Sequence, residues 1–284
     1  MPSIDDYPIR ADGDGLPPDE RSRSGLWILL AVALIVVALV AAYLLFRSPP
    51  ADDDVAIVSD AVPAATGSET LPPLGADPRD VDLPPLDMTD PVVRELLSAL
   101  SSRPELMAWL ATDNVLRRGV AVIDNVARGR TPATHFRSVA PRGVFQADPA
   151  GQDQYTTSPQ SYSRYDGLAQ TLASLDTEGM ASAYATLRPR LIEAYQELGY
   201  PDGNIDLAVE RAIVHLLQTP DVAGDAPVAP SDVMYKYVDP RLEGLSEAQK
   251  QLLRMGPDNV RVVKQTLREL AAALGIPDDR LPRG

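Results

Sequence analysis

The chain has 284 residues, no cysteine and a formal net charge of −14 at pH 7. The missing thiols exclude a disulfide-stapled fold, a thiolate metal site and a cysteine nucleophile. The acidity is uneven: residues 48–89 carry nine acids against one base, Arg79, while residues 90–284 carry 25 acids against 21 bases, so the low isoelectric point says little about the partners of the C-terminal part.

Residues 1–25 are rich in Asp, Gly and Pro and too poor in apolar groups to offset the entropy of ordering, so they read as a disordered tail. Residues 26–46 follow with no charge, no proline and no glycine. As a helix this run is about 31 Å long, which matches a bilayer core, and Trp27 and Tyr43 stand near its ends. It reads as a single transmembrane helix. Arg10, Arg21 and Arg23 precede it, whereas Arg47 and then Asp52, Asp53 and Asp54 follow. That bias puts the N-terminus in the cytoplasm and the bulk of the chain outside. Residues 47–88, with Pro49-Pro50, Pro72-Pro73 and Pro84-Pro85 among small residues and Asp, read as a disordered linker that holds a domain off the membrane.

From residue 89 helical spacing takes over. Asp90-Pro91 is an N-cap followed by a first-turn proline, with Val92, Val93, Leu96, Leu97 and Leu100 recurring on one side. Further helices are expected from Pro104, over 113–127, over 158–175, over 177–198 and over 205–217. The last of these is apolar on most sides and belongs near the centre of a core. Ser246 and Gln249 form a capping box for a helix that ends at Gly256, and Pro257 starts a long final helix closed by Gly275. Residues 129–157 and 219–233 show no period and read as loops, the first with one short strand at Val144-Phe145. The expected fold class is mainly all-α: the transmembrane helix, then one compact domain of seven or eight helices over 89–276, then a tail over 277–284.

No catalytic constellation stands out. Two histidines, His135 and His215, and no cysteine leave no metal-ligand spacing, and neither a Gly-x-Ser-x-Gly nor a Gly-rich phosphate loop is present. No cofactor is expected. Asp202, Asn204 and Asp206 open like a calcium loop, but Leu207 stands where that loop needs Gly and Ile213 where it needs Glu, so helix capping at Asn204 is the better reading. The local anomaly is electrostatic. Between residues 117 and 142 six arginines face one acid, Asp124. Guanidinium groups suit bidentate contact with carboxylates and phosphates, so Arg117, Arg128, Arg130, Arg137 and Arg142 are candidate binding residues for an anionic partner. Arginine outnumbers lysine 23 to 3 throughout, and ion pairing within the fold is the competing reading. Arg261, Lys264 and Arg268 share one side of the last helix, where a solvated face is the simpler explanation.

The pairs Asp124-Asn125 and Gly129-Arg130, the run Leu198-Gly199-Tyr200-Pro201, and above all Leu252-Leu253-Arg254-Met255-Gly256-Pro257-Asp258-Asn259 give the chain a familiar look. With the Pro-rich run before Asp90, it resembles a proteobacterial family of single-pass envelope proteins classed as a domain of unknown function. The resemblance implies one C-terminal helical domain and an inner-membrane address, and it supplies no catalytic residue.

The expected protein is thus anchored in the bacterial inner membrane through residues 26–46, with its C-terminal domain in the periplasm. There it acts as a binding or scaffold domain for an anionic envelope partner (a protein face, a lipid head group or the cell wall) and not for nucleic acid. The alternative is an envelope hydrolase using carboxylates of the 129–157 loop, such as Asp148 and Asp153.

Overall fold

The computed structural model describes residues 72–151, 154–231 and 235–283. The expected transmembrane run 26–46 lies outside them. Among the described residues no helix is long and apolar enough to cross a membrane.

Ten α-helices and one small sheet make up the described chain. A 3-10 turn, Leu86–Met88, leads into α1 (Asp90–Ser98), α2 (Pro104–Leu110) and α3 (Val115–Ala127); a second 3-10 segment, Ala133–Val139, leads to β1 (Ala147–Gly151) and β2 (Gln154–Thr157). Then come α4 (Pro159–Ser163), α5 (Asp166–Ala173), α6 (Thr177–Glu197) and α7 (Ile205–Leu217). Strands β3 (Pro227–Pro230) and β4 (Tyr235–Tyr237) precede α8 (Pro240–Glu243), α9 (Glu247–Leu253) and α10 (Pro257–Ala273).

The mainly all-α expectation is therefore corrected. A four-stranded antiparallel sheet in the order β1-β2-β3-β4 takes its first three strands from the two stretches that read as loops and β4 from just beyond the second. The reason is physical. Each strand has only three to five residues, and Pro149, Gly151, Pro227 and Pro230 interrupt any alternation. The pairing that holds the sheet, Tyr155 to Val228, joins residues far apart in sequence, and local periodicity does not report such a contact. The expected seven or eight helices are likewise corrected to ten. The stretch read as one helix over 158–175 breaks at Arg164-Tyr165 into α4 and α5, and the four-residue α8 is too short to show a period.

Three apolar clusters organise the helices. Val93, Leu96, Leu110, Val115, Val120, Leu187, Leu191 and Ile205 form the first, across α1, α2, α3, α6 and α7. Val209, Ile213 and Leu217 continue α7 into a second cluster with Ala181, Ala271 and Leu274. Helix α7 thus enters two clusters, in keeping with its apolar surface. Asn204 caps it, its side chain accepting from the backbone N–H groups of Asp206 and Leu207. The third cluster, with Tyr165, Ala169, Leu252, Met255, Val260 and Val263, ties α5, α9 and α10 together. Residues 72–88, from the expected linker, lie against this domain: Leu74 joins the second cluster, Leu86 joins the first, and the Gly75 N–H donates to the Leu274 carbonyl.

Candidate functional site

The run Leu252–Asn259 makes the corner on which the site is built. Leu252 and Met255 are buried in the third cluster. Gly256 turns with φ +86°, and a Cβ there would lie 2.6 Å from the Tyr162 ring, so only glycine fits. Pro257 then opens α10, and the Asn259 amide donates to the Tyr162 carbonyl, the Asp166 carboxylate and the Met255 carbonyl. The corner therefore docks α9 and α10 onto α4 and α5. On the other side Ser161, buried on α4, exchanges two hydrogen bonds with the backbone of Gln146 and so holds the segment entering β1.

Between these anchors the sheet and the helices leave two clefts that share Arg164 and Tyr165. The first, about 470 Å³, lies between β3, β4 and α9 and is lined by Phe145, Arg164, Tyr165, Tyr235, Tyr237, Gln251 and Arg254. The antiparallel register sets Tyr155, Val228 and Tyr237 in one cross-strand row. Tyr235 lies two residues before Tyr237, on the same side, and packs against Phe145 at 5.2 Å and Tyr155 at 5.7 Å between ring centres. The second cleft, about 550 Å³, is bordered by Glu105, Arg142, Arg164 and Tyr165.

The electrostatics of the pair are one-sided. Three arginines line the two clefts against one acid, Glu105, and Glu105 already accepts from the Thr171 hydroxyl and lies 3.6 Å from Arg103. Arg164 is oriented by carbonyls, donating to Ser161 and Gly143, and its guanidinium lies 5.7 Å over the Tyr165 ring. No carboxylate among the described residues pairs with Arg142, Arg164 or Arg254. Burial pushes the Tyr237 hydroxyl up to about 12, so it stays protonated at neutral pH and can donate. Two cations and a neutral phenol converge on one aromatic-walled cleft, which is an arrangement suited to carboxylate or phosphate oxygens.

The arginines expected from the sequence divide. Arg142 borders the second cleft. Arg117 lies elsewhere, donating to both Glu197 oxygens and to Asp87. Arg128 and Arg130 converge on the buried carboxylate of Asp124 at 2.9 and 3.0 Å, and Arg128 also stacks 4.7 Å over Tyr200. Arg137 is exposed on the 3-10 segment and lines neither cleft. Arg164 and Arg254 were missed. One signal could have found them: Arg164 sits within Tyr162-Ser163-Arg164-Tyr165, and Tyr235-Lys236-Tyr237 alternates as a strand should.

Among the described residues His215 and Ser246 make a pair that resembles a hydrolytic dyad, at 2.7 Å. Ser246 Oγ also accepts the Gln249 N–H as the cap of α9, and Gly129 packs over it so closely that a Cβ would be 2.9 Å from Ser246 Cβ. A hydroxyl engaged in this way serves as a latch between α7 and α9. Asp148 is exposed on β1, and Asp153 lies outside the described residues. No cluster of three or more metal-ligating residues occurs among the described residues.

A mainly helical domain with a small sheet and an arginine-tyrosine cleft on the sheet flank is the class of protein this geometry defines. Residues 115–271 match the family model described as "Protein of unknown function (DUF3014)", and the chain belongs to that family. No curated protein and no solved structure matches it.

Proposed function

We propose that the protein is a non-catalytic binding or scaffold module of the proteobacterial envelope. Residues 26–46 anchor it in the inner membrane, and the domain stands in the periplasm. The support for this address is the uncharged run itself, the arginine bias before it and the resemblance of the Leu252–Asn259 run. The occupant we assign to the two clefts is an acidic segment of another envelope protein, since a periplasmic address keeps nucleic acid away.

One observation carries this reading: Arg142, Arg164 and Arg254 border adjoining clefts in which the single acid is already engaged. Residues 90–284 carry 25 acids against 21 bases, so three arginines against one engaged acid are a local departure from that near balance. The tyrosine rings give an extended peptide apolar faces and hydroxyl donors at little entropic cost.

The test uses the full chain in a nonionic detergent and a fluorescent poly-glutamate peptide, read by anisotropy. Binding is expected to weaken as salt rises and to fall at least tenfold in Arg164→Glu with Arg254→Glu. Unchanged binding in that double variant removes the reading. Protease added to spheroplasts tests the address in parallel, where a domain that survives as well as a cytoplasmic control overturns it.

A further inference from the structure

The three cations on one side of α10 do not form a solvated face. Lys264 is only 5% exposed. Its ammonium donates to the Thr219 carbonyl at 2.9 Å and to Asp221 at 2.8 Å. Arg261 and Arg268 border the same cavity of about 410 Å³, which is closed on other sides by the rings of Tyr162 and Tyr237 and by Pro257 at the start of α10.

Three features set this cavity apart from an ordinary ion pair. A lysine ammonium has three donors, and two are used here, so one remains for a ligand. A buried charge is costly unless well compensated, yet the compensating Asp221 is itself 72% exposed and stands on the loop between α7 and β3. The hydroxyl of Thr219, whose carbonyl holds Lys264 from behind the cavity wall, is buried with no hydrogen-bond partner among the described residues, although Thr219 does not itself line the cavity. Of the two arginines, Arg261 pairs only with exposed Asp258 on its own helix, and Arg268 pairs with no carboxylate among the described residues. Burial raises the hydroxyl pKa of Tyr237, which keeps it as a donor, while the Tyr162 hydroxyl, also raised by burial, is engaged by Thr157 and Asp225.

We propose that this cavity binds a small phosphate monoester, with Asp221 as the internal placeholder that occupies Lys264 until the ligand arrives. Three cations border one cavity, and the two carboxylates that pair with them, Asp221 and Asp258, are both largely exposed. The three cations match a group of about −1.5 to −2 charge with three acceptor oxygens. The apolar wall from Val222, Leu253 and Val260 leaves room for a ring-sized ester group. When the phosphate takes the Lys264 donors, Asp221 moves into the solvent that already surrounds it. This site goes beyond the acidic-segment reading: Tyr237 borders both cavities, but neither Arg164 nor Arg254 lines this one and neither Arg261 nor Arg268 lines the other, so the arginine variants let either proposal fail alone.

The experiment measures the thermal unfolding of the full chain in nonionic detergent with phenyl phosphate, inorganic phosphate or benzoate. Phenyl phosphate is expected to raise the midpoint of the natural protein. Asp221→Asn should lower the unliganded midpoint, and phenyl phosphate should then raise it by more than in the natural protein. Arg261→Ala with Arg268→Ala changes only solvent-accessible groups and should weaken phenyl phosphate at least tenfold. Inorganic phosphate should act more weakly than phenyl phosphate, and benzoate should act on neither form. The proposal is overturned by no shift in the natural protein and Asp221→Asn, by a shift that survives the double arginine variant, or by an equal shift with benzoate. Lys264→Met risks misfolding because of its burial, so the arginine pair carries the decision.

Discussion

Two groups of arginines differ in what their neighbours do. Around α3, Arg117, Arg128 and Arg130 each end on a carboxylate: Glu197 and Asp87 for the first, Asp124 for the other two. Along the sheet, Arg142, Arg164 and Arg254 end on carbonyls, aromatic rings or cleft walls. The α3 flank is the denser one in the sequence, but its charge is spent inside the fold. Density along the chain measures supply, whereas an available cation depends on what the fold brings opposite it. Replacing one residue on each flank should separate the two roles.

The largest effect is expected on the sheet flank at Gly256, which holds the cleft in place without lining it. An alanine at φ +86° and ψ 159°, a region essentially reserved for glycine, carries a backbone cost of about 1–3 kcal/mol. Its Cβ would also sit 2.6 Å from the Tyr162 ring, so Tyr162 and α10 must part. Together these predict a loss of about 3 kcal/mol in chemical denaturation of Gly256→Ala. A loss under about 1 kcal/mol would mean that the corner is loose and that the clefts are not held by it.

Asp124→Ala comes next and acts on the other flank. Asp124 is 6% exposed and accepts from two guanidinium groups. Removing it deletes two charge-assisted hydrogen bonds, but Arg128 and Arg130 are about half exposed and can turn to water. The expected loss is about 2 kcal/mol, with poly-glutamate binding unchanged. If binding instead strengthens as the two arginines are released, the α3 flank belongs to the docking surface and the comparison breaks.

Parts of this organisation were legible and parts were not, and the division follows the range of the forces involved. Several local signals held: the Asn204 cap, the Ser246–Gln249 box and the apolar surface of α7 stand where the spacing put them, whereas Asp90, expected as an N-cap, is already helical and follows Thr89 in that position. The arginine cluster was legible as a composition, but its pairing with Glu197 joins residues eighty apart and left no mark in the local pattern. The sheet was hidden more deeply. Pro149, Pro227 and Pro230 are turn and edge residues in a sequence reading, and only the meeting of Tyr155 with Val228 makes strands of them. Since the first cleft uses that sheet as a wall, its tyrosines Tyr235 and Tyr237 were hidden with it. The exception was Arg254, visible through the Leu252–Asn259 run without its role being visible.

The smallest expected effect is a pH dependence at the latch between α7 and α9. Burial holds His215 below its ordinary value of 6.5, and its Nε2 meets Ser246 Oγ at 2.7 Å. In the folded protein the neutral ring is favoured, whereas the unfolded chain takes up a proton near pH 6.5. Above that pH both states are neutral at this site and it adds no slope. As the pH falls below 6.5 the unfolded state binds the proton first, so stability declines until the folded ring also titrates. His215→Gln keeps a polar side chain next to Ser246 and removes the titration. Its unfolding free energy should therefore be flatter than that of the natural protein from pH 6.5 downward, until the carboxylates begin to protonate. Parallel curves through that window would show that the ring is as accessible to protons in the fold as in the unfolded chain. The helical flank would then be looser at this joint than its Asp124 pairs suggest.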